Sequence, residues 1–176
     1  MCGFKIICLQ RIFLGVYWGG NAAYLNLPND CIDKATLHCS IEHFEGYNDI
    51  LLIKEMERIL KNKGKLMIIP LYLAENPFIQ TDSKSVSLRE LDICEAGSVH
   101  NVRGWGNRHA RFYSPKTFYN RIVKTLNNLD LKIYYFDKNK IPEFRNEQMY
   151  LKFFVVFEKK KDFKRKAKYN YYSENN

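Results

Sequence analysis

The chain has 176 residues, 46% of them hydrophobic and 15% aromatic, which is enough for the core of one domain and too little for two. Its five cysteines are odd in number, widely spaced and free of any C-x-x-C pair, so neither a disulfide framework nor a zinc knuckle is expected, and a reducing cytoplasm fits. The formal charge is +9, but residues 159–168 hold seven basic residues and one acidic residue, so +6 lies there and +3 elsewhere. Basicity therefore does not describe a nucleic-acid-binding face on the globular part.

The first part of the chain contains one apolar run of strand length. Residues 12–17 are predicted to form a strand, after which Gly19 and Gly20 turn the chain towards Asn21 and Ala22. A position in this turn, where the backbone of asparagine is tolerated, explains Asn21 as well as a ligand-binding role does. The apolar opening is interrupted by lysine and arginine, so neither a signal peptide nor a membrane span is expected.

Residues 27–71 read as one strand–helix–strand unit. A polar loop leads into a short apolar strand at 32–39, and a helix capped by Asn48 or Asp49 is predicted to run until Gly64 stops it. The apolar side chains of that helix recur on one face: Leu52, Ile53, Met56, Ile59 and Leu60. A strand at 65–69 follows, apolar on both faces as a covered strand must be. Such a parallel crossover places residues 40–48 at the carboxyl end of the first strand, where α/β sheets bind ligands.

Polar residues leave the first strand at that ligand-binding edge. His43 could take a proton from an attacking hydroxyl or amine, since histidine titrates near neutrality, and Glu42 could orient it. The alternative is a turn whose polar groups cap the next helix, with His38 an ordinary strand-end histidine and Cys39 in the core. A metal site on these residues is not expected, because adjacent strand residues point apart and no further Cys/His cluster lies nearby.

The segment 72–114 loses periodicity and is longer than an ordinary connection, which predicts a lid or a binding insertion. It contains the sequence Arg-Gly-Trp-Gly-Asn-Arg-His-Ala-Arg at 103–111, whose arginines could grip a carboxylate or phosphate. The alternative is a glycine-jointed loop with solvated arginines, in which Trp105 fills a gap against the sheet.

The last third of the chain predicts one helix and two strands. The helix opens at Ser114-Pro115, buries Phe118, Ile122 and Leu126, and ends at 127–128. Strands are predicted at 131–136 and 150–157. The tail at 159–176 interleaves basic and aromatic residues, a composition that can hold single-stranded nucleic acid but is more typical of a disordered, solubilising extension.

Four pieces of the sequence together resemble the second half of class I S-adenosylmethionine-dependent methyltransferases, from about Gly19 to Leu71 and more loosely to Glu158. They are Asn21-Ala22, Leu27-Pro28 with Asp33, Leu37-His38-Cys39-Ser40-Ile41-Glu42-His43-Phe44, and Glu55-x-x-Arg58-Ile59-Leu60-Lys61-x-x-Gly64-Lys65-Leu66. The resemblance implies an α/β, partial Rossmann-like fold with a mostly parallel sheet and a C-terminal antiparallel strand. Residues 1–158 would be a truncated domain that lacks the N-terminal strands, helices and glycine-rich motif, with 72–114 as its insertion and 159–176 as a tail.

The resemblance also implies site residues and a cofactor. S-adenosylmethionine would lie against Asn21, Ala22, His38 and Cys39, where Asn21 replaces the family's usual aspartate and keeps an acceptor oxygen but loses the charge. The resemblance places the substrate side of the site at a second set of residues: His43 and Glu42 at the acceptor, and Arg108, His109 and Arg111 on the substrate.

Three functions stay open on the sequence alone. The first is methyl transfer to a small-molecule acceptor, in which the cofactor supplies the activated group and the protein supplies alignment and a base. The second is an inactive remnant or partner subunit, or a homo-oligomer, that uses the half-sheet as an interaction surface. The third, a nucleic-acid-binding module acting through the tail, is not favoured.

Overall fold

The computed structural model describes residues 21–87, 89–135 and 152–161. The elements of this part are β1 (Ile32–His38), α1 (Asn48–Ile59), β2 (Leu60–Ile69), β3 (Phe78–Thr81), β4 (Ser98–Asn101), β5 (Ala110–Phe112), α2 (Pro115–Arg121), β6 (Leu129–Tyr135) and β7 (Phe153–Lys159). Two 3-10 turns, Ile41–His43 and Val123–Thr125, join them. No helix among these residues is long and apolar enough to cross a membrane.

The larger sheet has the strand order β1-β2-β7-β6. β1 and β2 run parallel, with Leu37 opposite Ile68, and α1 makes the crossover between them. β7 is antiparallel to both of its neighbours. The predicted α/β class and final antiparallel strand are confirmed, and the sheet is mixed rather than purely parallel. This order agrees with the resemblance, which implies an antiparallel strand at the end of the chain.

The core of this sheet forms where the periodicity of the sequence predicts it. The helix α1 buries Leu52, Ile53, Met56 and Ile59. β2 buries Leu66 and Ile68 from alternate positions. Burying each of these side chains contributes about 1.5–3 kcal/mol before the entropy of ordering is subtracted. The central unit is therefore held chiefly by apolar packing.

Both predicted boundaries of the central helix are wrong. Its N-cap is Tyr47, which makes no side-chain capping bond, because Asn48 donates to the Glu45 carbonyl and Asp49 is engaged by other side chains. The helix ends at Ile59 rather than at Gly64, because β2 already pairs with β1 from Leu60. Gly64 lies inside β2, where an added Cβ would sit 2.7 Å from a backbone oxygen.

The segment predicted to be a lid or binding insertion, residues 72–114 and called the insertion below, contains a second sheet with the order β4-β3-β5. β3 is parallel to β4 and antiparallel to β5. Among the described residues its own apolar cluster is small, built on Ile79, Val86 and Leu91. These strands have three or four residues, too few for alternation to be recognised in the sequence.

The last elements follow the prediction with different bounds. Ser114 and Thr117 form a capping box at the start of α2, but the α-helix ends at Arg121 and a 3-10 turn replaces its predicted last turns. Both predicted strands are present, but β6 begins two residues before its predicted start and β7 ends two residues after its predicted end. Lys159, assigned to the tail from the sequence, closes β7 and pairs with Asp30 at 2.7 Å. The predicted strand at 12–17 and the tail from residue 162 lie outside the described residues.

Candidate functional site

The candidate site lies where the chain leaves β1 at the carboxyl edge of the larger sheet. Cys39 adopts a φ of +46°, a left-handed conformation that is uncommon for a residue with a side chain and costs of order 1–3 kcal/mol. Ser40 Oγ donates to the His38 carbonyl at 2.7 Å, and the 3-10 turn Ile41–His43 follows. This sharp exit brings Glu42 and His43 to the sheet edge.

The ring of His43 is held in one orientation and one tautomer. Its Nδ1 lies 2.5 Å from the carbonyl oxygen of His109, and because a carbonyl only accepts, Nδ1 carries the proton. In the neutral ring the lone pair is then on Nε2, which lies 3.7 Å from Glu42 Oε1. The His43 side chain is 24% exposed. An accessible histidine with its lone pair on a defined atom is suited to accept a proton.

The carboxyl group of Glu42 is buried beside that lone pair. The residue is 3% exposed, and Oε2 has no hydrogen-bond partner within the described part of the chain. Burial raises the pKa of Glu42 against the opposing effect of its own backbone N–H and of the neighbouring His43 charge. When Glu42 is ionised, its charge favours a positive charge on His43. Because of its burial, the Glu42 carboxyl also takes up a proton more readily than it would in water.

His109 fastens the insertion to this turn. It is 2% exposed, and its Nδ1 donates to the Glu42 carbonyl at 3.2 Å. Burial, reinforced by the nearby Arg111 charge, lowers the pKa of His109. His109 therefore stays neutral at pH 7 and attaches β5 to the turn. A second hydrogen bond joins the two segments, because His43 Nδ1 donates to the His109 carbonyl.

The two arginines predicted to bind substrate both have protein partners. Arg108 pairs with Glu45 at 2.7 Å on the surface. Arg111 is buried, pairs with Asp92 at 2.5 Å and donates to the Cys94 carbonyl. Arg108, His109 and Arg111 therefore lie next to the turn that carries His43. Their contact with a substrate stays a prediction.

The predicted cofactor residues have different surroundings. Asn21 Oδ1 accepts from the Ala23 N–H at 3.0 Å, the arrangement of a turn residue. Ala22 is buried in the main apolar cluster, which also contains Leu37. His38 is exposed and Cys39 is partly buried. Their role in cofactor binding stays a prediction.

Metal binding finds no support in the part of the chain that the structure describes, since no group of three or more His, Cys, Asp or Glu side chains there is arranged to hold an ion.

Two acidic residues near the site were not predicted from the sequence. Asp92 neutralises Arg111 and accepts from the Gly46 N–H. Asp82 binds the glycine loop that carries Trp105. The G-W-G pattern around Trp105 is the sign of that loop in the sequence. The two aspartates give no such sign, because they lie 19 to 46 positions from these partners and follow no period.

A second buried network joins the helices behind the site. Arg121 donates to both carboxylate oxygens of Asp49, at 2.9 and 2.7 Å, and Tyr113 donates to Asp49 at 2.8 Å. Burial alone would lower the pKa of Arg121, but the hydrogen bonds and charge of Asp49 outweigh it and raise that pKa. Burial, followed by the Asp49 charge, raises the pKa of Tyr113 well above its usual value. The network ties α1 to the start and end of α2.

No protein-family model and no curated protein matches the sequence. Among solved structures the chain is similar to a SAM-dependent methyltransferase from Methanosarcina mazei, at 14% identity and a TM-score of 0.47, covering 80% of this chain and 65% of that one. It is also similar to an S-adenosylmethionine-dependent methyltransferase from Mesorhizobium loti, at 16% identity and a TM-score of 0.47, covering 80% and 67%.

A third similar structure is the 1,6-didemethyltoxoflavin-N1-methyltransferase of Burkholderia thailandensis, at 12% identity and a TM-score of 0.45, covering 80% of this chain and 48% of that one. The chain thus spans about half to two thirds of the length of these three proteins. Similarity at this level assigns neither a substrate nor an activity to this chain.

Proposed function

We propose that this chain is the later part of an S-adenosylmethionine-dependent methyltransferase that acts on a small molecule through an O–H or N–H group. The observation that carries the proposal is the fixed tautomer of His43, whose Nε2 lone pair lies beside Glu42 at the carboxyl edge of the sheet. The sequence resemblance places the acceptor at this same edge. His43 takes the proton that the nucleophile loses, and Glu42 stabilises the resulting imidazolium.

The cofactor would lie against the exit of β1. His38 is exposed at that exit, and Cys39 is partly buried and has a left-handed backbone conformation. Asn21 still has its amide group to offer to an adenine edge, although its oxygen already accepts one backbone bond. When bound, S-adenosylmethionine supplies an activated methyl group, so the described residues need only hold it and the acceptor in line.

The neighbouring charges favour a neutral or cationic acceptor over an acidic one. Arg108 and Arg111, the groups expected to bind a carboxylate or phosphate, are neutralised by Glu45 and Asp92. The groups at the turn, His43 Nε2 and the Glu42 carboxyl, are hydrogen-bond acceptors when His43 is neutral and Glu42 is ionised. A substrate that donates an N–H or O–H complements them.

Titration of S-adenosylmethionine, followed by calorimetry and by amide NMR shifts, tests this function. We expect binding heat and shifts confined to the region of Ala22, His38 and Cys39. His43→Gln should leave that binding in place, because the residue serves the acceptor. Absence of both heat and shifts at millimolar ligand would remove the support for the enzyme, and equal shifts along β6 would indicate non-specific binding.

A cytoplasmic location forms part of the same proposal. It is supported by the thiols of Cys31 and Cys94, which form no disulfide and are therefore compatible with a reducing compartment.

A second candidate function, a partner subunit or homo-oligomer, is favoured by the surface of β6. Ile133, Tyr134 and Tyr135 are 43%, 42% and 71% exposed on a strand that is at the sheet edge among the described strands. Light scattering of the purified chain tests this. A dimer that Tyr135→Lys dissociates would support it, whereas a monomer at all concentrations would exclude self-association through this surface.

A further inference from the structure

The loop that carries Trp105 is gathered around one carboxylate. Gly104 and Gly106 have φ angles of +86° and +78°, which direct their N–H groups to the same side. Both N–H groups donate to Asp82 Oδ2, at 2.9 and 3.0 Å. The other oxygen, Oδ1, accepts from the Lys84 N–H at 3.0 Å. One side chain therefore fixes the loop on both sides of the tryptophan.

Asp82 is itself held firmly at the end of β3. It is 2% exposed, and its N–H donates to the Asn107 carbonyl at 3.1 Å. The preceding residue, Thr81, accepts from the Val102 N–H and donates through Oγ1 to the Arg108 carbonyl. Hydrogen bonds from the Lys84 and Gly106 backbone N–H groups lower the pKa of Asp82, so it is ionised at neutral pH. Both ends of the loop are thereby attached to β3.

The indole of Trp105 covers one face of the His43 ring. The two ring centroids are 6.0 Å apart, with 29° between the planes, which is within the range of aromatic stacking. The edge of the imidazole is fixed separately by the bond from Nδ1 to His109. Rotation of His43 out of its position thus requires both the hydrogen bond and the stacking contact to be given up.

We propose that Asp82 is a positioning residue, which holds Trp105 against His43 by binding the two glycine N–H groups of this loop. The proposal concerns the orientation of His43 and stands whether or not the chain binds S-adenosylmethionine. It assigns a role in the site to residues 39 and 62 positions away from His43 in the sequence. It also explains why a fully formed carboxylate is buried in a loop with its acceptors directed at backbone rather than at a basic side chain.

Tryptophan fluorescence tests the proposal in a Trp18→Phe background, where Trp105 is the remaining tryptophan. The imidazole that stacks on the indole alters its emission, so we expect His43→Gln to change the Trp105 emission at pH 7.

In Asp82→Ala the emission change caused by His43→Gln should fall to less than about half, because the indole is no longer kept within stacking distance. Asp82→Asn, which keeps one acceptor oxygen, should give an intermediate change, and it remains informative if the alanine variant does not fold. Asp130→Asn, an exposed aspartate on β6, is the matched control and should leave the change caused by His43→Gln as it is in the parent. The same emission change in folded Asp82→Ala as in the parent, or in Asp82→Asn if only that variant folds, overturns the proposal.

Discussion

The larger sheet and the insertion are held together by different forces. Among the described residues, the larger sheet and its helices share with Tyr113 one cluster of 20 buried apolar residues, whereas the insertion's own cluster contains three. Buried polar side chains take their place in the insertion, among them Thr81, Asp82, His109 and Arg111. The comparison teaches that a small sheet without a large core can be fixed by directional bonds, each of which depends on a particular partner.

Four groups of substitutions test this contrast, beginning with the buried network between the helices. Asp49→Ala leaves the buried Arg121 charge with its longer ion pair to the exposed Glu95, at 3.5 Å, and we expect the free energy of unfolding to fall by about 3–5 kcal/mol. Urea unfolding measures the loss. The double change Asp49→Leu with Arg121→Met should be less harmful than either single change, since it removes both charges. Asp33→Ala, from an exposed pair, should cost about 1 kcal/mol or less.

Apolar truncation should affect the two regions differently. Ile53→Ala removes a buried side chain of α1 from the main cluster and should lower global stability by about 2–5 kcal/mol. Ile79→Ala should instead open the insertion locally, with faster amide exchange in β3 and β5 and little change in β2. Hydrogen exchange followed residue by residue checks both. Equal acceleration in β2 and β3 by Ile79→Ala would show that the two regions unfold as one.

The pH dependence of the insertion should follow His109. Its folded pKa is lowered, by burial first and by Arg111 second, so the unfolded chain binds a proton more readily. The stability it contributes is complete above its unfolded pKa of about 6.5 and is lost as the pH falls towards the folded pKa. Amide protection in β5 should therefore fall between pH 7.5 and 5, and less so in His109→Gln.

Between pH 7.5 and 5, the contribution of Glu42 to stability changes in the opposite direction to that of His109. Burial raises its folded pKa, so its contribution is largest below its unfolded pKa and is lost as the pH rises through the folded value. The difference between wild type and His109→Gln, measured at each pH, isolates the histidine. An identical pH dependence in the two proteins would contradict the assignment.

The smallest effect is expected from the exposed arginine of the insertion. Arg108→Gln breaks a surface pair with Glu45 and should change the free energy of unfolding by about 1 kcal/mol or less. Arg111→Gln is the matched change at a buried pair and should cost several times more, about 3–5 kcal/mol. Thermal or urea unfolding compares them. Similar losses would mean that burial does not distinguish these two pairs.

The sequence by itself determined the strand–helix–strand unit, because a face of apolar residues must be buried wherever the chain folds. The apolar run of β2 and the helical stripe through Leu52 and Ile59 are visible without any knowledge of their partners. It also placed Glu42 and His43 at the carboxyl edge, since a parallel crossover fixes which end of the strand they follow. The end of α1 was not predicted from the sequence, because the pairing of Leu60 with β1 ends the helix before the chain reaches Gly64.

Only the tertiary structure decided how the insertion is built and which ring nitrogen of His43 carries the lone pair. Asp82, Asp92 and Arg111 find their partners 17 to 46 residues away. Polar contacts at such separations carry no period, and a hydrogen bond is specified only when the chain has folded around both of its ends. The tautomer of His43 is of this kind, for it depends on a carbonyl 66 residues further along the chain.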